Sequence, residues 1–150
     1  MKNAIATNKQ ALRDYSIFET IEAGIELRGS EVKALRDRKV NFVDSFARIE
    51  EGQILLFNMH ISPYAQASYL NAPEKRPRKL LLHKKEIDRL FNRLNQSGFT
   101  LVPLNIYFNE RGFAKVTIAL CKGKKLYDRR EDIKKRAIDM QIKRMIKNRG

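Results

Sequence analysis

The stretch "VPLNIYFNERGFAKVTIAL" constrains this chain more than any other. Val102, Leu104, Ile106 and Phe108 fall on one side of an extended segment, and Ala114, Val116, Ile118 and Leu120 on one side of the next. Lys115 and Thr117 fall on the opposite side. Successive side chains of a strand point to opposite faces, so this alternation predicts two strands with one buried face each. Asn109–Gly112 is the turn between them, which makes the pair an antiparallel hairpin.

Other segments carry the same signature. "YSIFETI" (Tyr15 to Ile21) is rich in β-branched and aromatic residues and reads as a strand. Glu22-Ala23-Gly24 is expected to turn it, with "IELRG" returning. "FARIE" and "QILLFNMHI" flank the turn signal Glu51-Gly52. Two helices are expected. Ser30 can cap "SEVKALRDR", with Val32 and Leu35 on one face. "HKKEIDRLFNRLNQSG" places Ile87, Leu90, Phe91 and Leu94 at i, i+3, i+4 and i+7, and Gly98 stops it. The segment from Ser62 to Arg78 holds three of the four prolines and reads as a long loop. The expected fold class is mainly β: a closed antiparallel barrel with appended helices, which buries one face of each strand and removes sheet edges. An OB-fold is one such barrel. The pattern alone does not separate it from an open sheet. The chain divides into a flexible basic arm (1–14), a barrel (15–121) and a basic C-terminal tail (122–150).

Charge narrows the function. Over 150 residues the formal net charge is +14. The tail from Lys122 onwards carries 12 of the 31 Lys and Arg but only 4 of the 17 Asp and Glu. Such an excess seeks polyanions, nucleic acid first and an anionic membrane surface second. The opening "MKNAIATNKQ" lacks the apolar core of a signal peptide, and no apolar run reaches the ~20 residues of a membrane span. A cytoplasmic protein is expected. Cys121 is the single cysteine, which excludes a disulfide framework and fits burial in an apolar strand.

Nothing in the chain suggests an enzyme. His60 and His83 are the only histidines and lack metal-ligand spacing. There is no phosphate-binding glycine loop and no nucleophile elbow. No cofactor is implied. Glu22, Glu26 and Glu31 read as structural partners of Lys and Arg.

Two basic stretches remain. In "EKRPRKLLLHKK", Lys75, Arg76, Arg78 and Lys79 are placed to neutralise phosphates, while Leu80 to Leu82 anchor the segment. Arginine also stacks on the unpaired bases that RNA loops present. In the tail, Asp128, Glu131 and Asp132 precede Lys134, Lys135, Lys143, Arg144 and Lys147. Acid first and base last suits a helix dipole. The apolar residues make no single clean stripe, and an isolated helix of this length is marginal in water. The tail is expected to be mostly disordered alone and helical in an anionic groove. It lacks the broad apolar face of a membrane-surface helix. From the residues alone the reading is an RNA-binding barrel, with a generic ribosomal protein or translation factor as one form of it.

Taken together, "EAGIELRGSEVKALR", "KVNFVDSFARIE", "NMHISPY", "RPRKLLLHKKEI", "LVPLNIYF" and "AKVTIALCKGKKLYDRREDIKKR" resemble the SmpB family of SsrA-binding proteins, in the family's order, from about Asn8 to Arg136. The resemblance implies an OB-like barrel that is not an enzyme. It implies binding to the tRNA-like domain of tmRNA and its delivery to the A site of stalled ribosomes in trans-translation. The body would stand in for an anticodon arm. The tail would occupy the small-subunit decoding centre and the empty mRNA channel as a helix. A monomer is implied, with elongation factor Tu meeting it only indirectly through charged tmRNA.

The implied RNA-binding positions are Asn8, Lys9, Glu22, Leu81 and Lys115, joined by the basic residues Arg13, Lys33, Arg76, Arg78 and Lys79. The implied ribosome-facing positions are Gly123, Lys124, Lys125, Tyr127, Asp128, Arg129, Arg130, Lys134, Lys135 and Arg136. The arm departs from the family pattern: Leu12 stands where Arg is usual and Arg13 where His is usual, so ring stacking there is replaced by guanidinium chemistry. Ser30 stands where Thr is frequent. Arg129 stands where Lys is common, which keeps the charge and changes its geometry.

Overall fold

A computed structural model describes residues 4–63, 73–96 and 98–124. The elements run β1 (Ala6–Thr7), α1 (Lys9–Asp14), β2 (Tyr15–Ile25), α2 (Gly29–Arg36), β3 (Val40–Asn41), β4 (Phe46–Glu50), β5 (Gln53–Phe57), β6 (His60–Ile61), β7 (Arg78–Leu81), α3 (Lys84–Leu94), β8 (Thr100–Phe108) and β9 (Ala114–Gly123). Seven strands pair antiparallel in the order β1-β8-β4-β5-β7-β2-β9, and β9 also pairs with β8. That last pairing closes the sheet into an OB-like barrel. β1 lies outside the ring on β8.

The predicted β8–β9 hairpin forms, with Phe108 opposite Ala114. Val116, Ile118 and Leu120 face the interior, where they pack with Ala23, Ile54, Leu56, Leu80, Leu101 and Ile106. The β4–β5 hairpin turns at Glu51 and Gly52, with φ of 51° and 74°. Positive φ at both central residues is the type I′ signature, whose twist matches the strands it joins. α3 buries Ile87 and Leu90 against the core, with Leu94 partly buried beside them. Phe91, expected in the same stripe, is instead exposed.

Four expectations change. First, β2 does not turn at Glu22–Gly24. It runs 11 residues without a break, because β9 pairs with it from Tyr15 to Gly24 and β7 takes up Gly24 and Ile25. Second, α2 begins at Gly29 with Arg28 as N-cap, and the Arg28 N–H donates to Glu31 Oε1 at 2.9 Å. Ser30 lies inside the helix. Third, β8 does not keep one face inward. The register slips between Pro103 and Asn105, leaving Leu104 as the extra residue of a bulge. Leu101 and Ile106 enter the main core, whereas Val102 and Leu104 join Ala119 and Cys121 in a second cluster on the outer wall.

The fourth change concerns the N-terminal arm. From Ala4 onwards it is docked. Ala6 and Thr7 pair with Ile106 and Asn105. α1 lays Ala11 on the second cluster, with Tyr15 at its edge. The apolar outer surface created by the β8 bulge is what α1 covers.

Among the described residues, no helix is long and apolar enough to cross a membrane. No group of three or more His, Cys, Asp and Glu among them is arranged to hold a metal ion. Cys121 is fully buried, and burial raises its thiol pKa to about 12, so it stays a neutral core residue.

Candidate nucleic-acid interface

Antiparallel register assembles a row across four strands. Leu81 of β7 lies opposite Gly24 of β2, Gly24 opposite Lys115 of β9, and Lys115 opposite Tyr107 of β8. Lys115 is flanked by the inward Val116, so this row faces outward. One step along, Glu22 lies opposite Thr117, and Thr117 opposite Asn105. The two rows are tied together by the Tyr107 hydroxyl, which donates to Glu22 Oε2.

Gly24 sets the relief of this wall. A Cβ there would meet the Leu81 Cβ at 3.2 Å. Its absence lets Leu81 lie across β2 while keeping 47% of its surface exposed. The result is a wall with an apolar ridge, an ammonium group on Lys115 and an oriented carboxylate on Glu22. Asn105 adds a buried Oδ1 that accepts no hydrogen bond from any described residue. An ammonium neutralises phosphate, and the fixed Glu22 carboxylate suits the 2′-hydroxyls and base amines of RNA, whereas the buried Asn105 Oδ1 is out of reach of a ligand. Lys79 projects from the outer side of β7, in the row of Leu55 and Arg48.

A second group with the same chemistry has the opposite fate. Arg78 and Lys79 are adjacent, but Arg78 shares the inward side of β7 with Leu80 and is 0% exposed. Its Nε and Nη2 donate to Glu31 Oε2 at 2.7 and 2.6 Å. Its Nη1 donates to the Met59 carbonyl at 2.5 Å, and Nη2 also to the Glu74 carbonyl at 3.0 Å. Arg76 Nε donates to both Glu31 oxygens, at 3.1 and 3.2 Å. Burial pushes the Glu31 carboxyl up, but hydrogen bonds from Arg76 and the Arg28 N–H, with the charge of Arg78, hold it below the usual range. Arg78 therefore does not serve as a phosphate contact: every guanidinium nitrogen is engaged inside. Arg76 is largely committed to Glu31 as well. Together they pin α2 to the loop that leads into β7.

The remaining positions separate. Asn8 is buried. Its Oδ1 accepts from the Ala11 N–H at 3.1 Å and its Nδ2 donates to the Pro103 carbonyl at 2.8 Å. It caps α1 and clamps it to β8, so its side chain is a fastener rather than an RNA contact. Lys9 and Arg13 lie exposed on α1, with Arg13 Nε 3.2 Å from Asp14. Arg13 lines an open cleft of ≈ 750 Å³ with Asp14, Tyr15, Asp44, Gly123 and Lys124. Lys33 is exposed on α2. Gly123 ends β9 opposite Tyr15, and Lys124 follows it. Lys125, Tyr127, Asp128, Arg129, Arg130, Lys134, Lys135 and Arg136 lie outside the described residues, as does the expected tail helix.

A family model described as "SmpB protein" matches residues 5–148. The chain belongs to the SmpB family. An "SsrA-binding protein" of Pseudothermotoga lettingae is 55% identical over 143 residues, covering 95% of this chain and 96% of that one. One of Thermosipho melanesiensis is 56% identical, covering 95% and 97%. A solved structure described as "tmRNA-SmpB: a journey to the center of the bacterial ribosome" superposes with a TM-score of 0.69 at 55% identity, over 79% of this chain and 83% of that one. The family match takes in both the outer wall and the basic tail.

Two parts of this wall were missed by the sequence reading. Tyr107 and Asn105 occupy the polar side of an otherwise apolar strand, a signal visible as soon as β8 is written as alternating faces. In the sequence Gly24 has the character of a turn residue, and only the pairing of β2 on both sides shows that it makes room for Leu81.

Proposed function

We propose that this chain binds the tRNA-like domain of tmRNA, the SsrA RNA, and acts with it on stalled ribosomes in trans-translation. The observation that carries this reading is the outer-wall row, in which Leu81, Lys115 and the Tyr107-oriented Glu22 converge on one surface. It holds three of the RNA-binding positions that the family resemblance implies. Membership of a family whose relatives are called SsrA-binding proteins supports the choice of RNA. The chain works by binding and not by catalysis. In this reading the body replaces an anticodon arm. The tail from Gly123 enters the decoding centre and mRNA channel, where rRNA phosphates would neutralise its charge and allow a helix to form.

The test is binding of the full chain to the tRNA-like domain of tmRNA, with excess ordinary tRNA as competitor, at low and physiological salt. Binding that survives both supports the reading, and Lys115→Ala should then weaken it with the fold intact. Binding that collapses with salt and is erased by tRNA would identify a generic basic RNA binder.

A further inference from the structure

A second aromatic and cationic cluster lies away from the row described above. The register of β2 against β9 shifts between Ile17 and Glu19, which makes Phe18 the extra residue of a bulge. Phe18 keeps 45% of its surface exposed. The ring of Phe99 meets it nearly edge-on, with centroids 5.2 Å apart and an interplanar angle of 80°. Lys122 Nζ lies 4.4 Å from the Phe99 centroid and 5.6 Å from that of Phe18. The Arg93 guanidinium carbon lies 5.3 Å from Phe99. Glu19, the acid next to Phe18, is already paired with Arg89. Among the described residues, Lys122 and Arg93 have no carboxylate partner, and the buried Nε of Arg93 donates to nothing.

We propose that this cluster is a stacking site for one unpaired nucleotide of RNA. Phe18 supplies the apolar face for the base, buttressed by Phe99. Lys122 and Arg93 supply the cations for the adjoining phosphate. Stacking on exposed rings beside a basic groove is the usual way single strands are held without sequence reading. Phe18 is four residues from Glu22 and six from Gly24 on β2, so the site stands roughly 13 Å from the near edge of the Glu22–Lys115 wall, at 3.3 Å per residue. It borders the root of the basic tail, because Lys122 immediately precedes Gly123. This inference rests on the reading of the chain as an RNA-binding protein. The unpaired nucleotide comes either from tmRNA or from small-subunit rRNA.

The test uses the full chain and a single-stranded hexaribonucleotide carrying 2-aminopurine, whose fluorescence reports stacking. Phe18→Ala should lower affinity about fivefold to 100-fold and remove the stacking signal, the loss expected for one base. Phe18→Tyr should retain both. Lys122→Gln should lower the salt slope by about one. Phe113→Ala, which removes another exposed ring at 64% exposure, is the control. Thermal melting of each variant separates loss of the site from loss of the fold. Binding of the tRNA-like domain and of small ribosomal subunits by the same variants assigns the source: the RNA whose affinity falls is the one that stacks. A Phe18→Ala protein that melts normally and binds the hexamer like the Phe113→Ala control would overturn the site. If that protein still holds the tRNA-like domain against tRNA, only this inference fails. If the unmodified chain binds no RNA, the broader reading fails with it.

Discussion

Two regions of this molecule are built from the same residue types and end in opposite states. On the outer wall, Glu22 and Lys115 face solvent, tied to their strands and to Tyr107. At the inner side of β7, Glu31 is enclosed by Arg76 and Arg78. The sequence motif "RPRKLL" contains both kinds of position within a few residues. Strand periodicity separates them: Arg78 and Leu80 turn inward, Lys79 and Leu81 outward. A run of basic residues is therefore not a patch until the strand has been placed in its sheet. A buried guanidinium needs a full set of acceptors, and this barrel supplies one carboxylate and two carbonyls.

The sharpest way to break the comparison is Glu31→Ala. It leaves the charge of Arg78 buried with no counter-charge, and chemical denaturation should show a loss of about 3–5 kcal/mol. A loss under ~1 kcal/mol would mean that the inner group is no more than a surface pair. Next comes the neighbouring pair. Arg78→Ala should cost about 3 kcal/mol, because the Met59 and Glu74 carbonyls lose their donor and Glu31 is left with Arg76 and the Arg28 N–H alone. Lys79→Ala should leave the melting temperature unchanged and lower the salt slope of RNA binding by about one. Equal effects of the two would erase the distinction.

Gly24→Ala tests the outer wall itself. The added Cβ forces Leu81 to move, at a cost of about 1 kcal/mol, the lower end for an inserted methyl group. RNA affinity should fall more than the stability change explains, and unchanged affinity would remove the Leu81 ridge from the interface. The smallest effect is on pH dependence. Glu31 titrates lower in the folded chain than in the unfolded one, so its contribution is complete above the unfolded value, about 4.3. It is lost as the pH falls through the folded value. The slope of unfolding free energy against pH should be steeper in the natural chain than in Glu31→Gln below that point. Parallel slopes would show that Glu31 does not carry the linkage.

Much of the frame was legible beforehand. The β8–β9 hairpin, the Glu51-Gly52 turn and the Ile87/Leu90 face of α3 followed from local periodicity and turn chemistry. The outer wall was legible in pieces: alternation put Lys115 on the polar side of its strand, and family resemblance pointed to Lys115, Glu22 and Leu81 together. What escaped the sequence reading were the two bulges, the continuous course of β2 and the docking of α1. A bulge leaves no local mark, since it is a mismatch between two strands and belongs to neither. α1 is six residues long and has only Ala11 buried, too little periodicity to detect, yet Asn8 caps it and the β8 bulge gives it a surface.

The sequence by itself determined a β-rich chain with strong positive charge, a hairpin with one buried face and a tail more basic than its body. These are local or summed properties, set by side-chain order and charge count. The tertiary structure decided which arginine is sealed and which lysine is offered, that Gly24 is the floor under Leu81, and that Phe18 meets Phe99 and Lys122. Each of these depends on closing the barrel, which brings together residues tens of positions apart. The physical reason is that burial and pairing are properties of the closed sheet, while alternation is a property of the single strand.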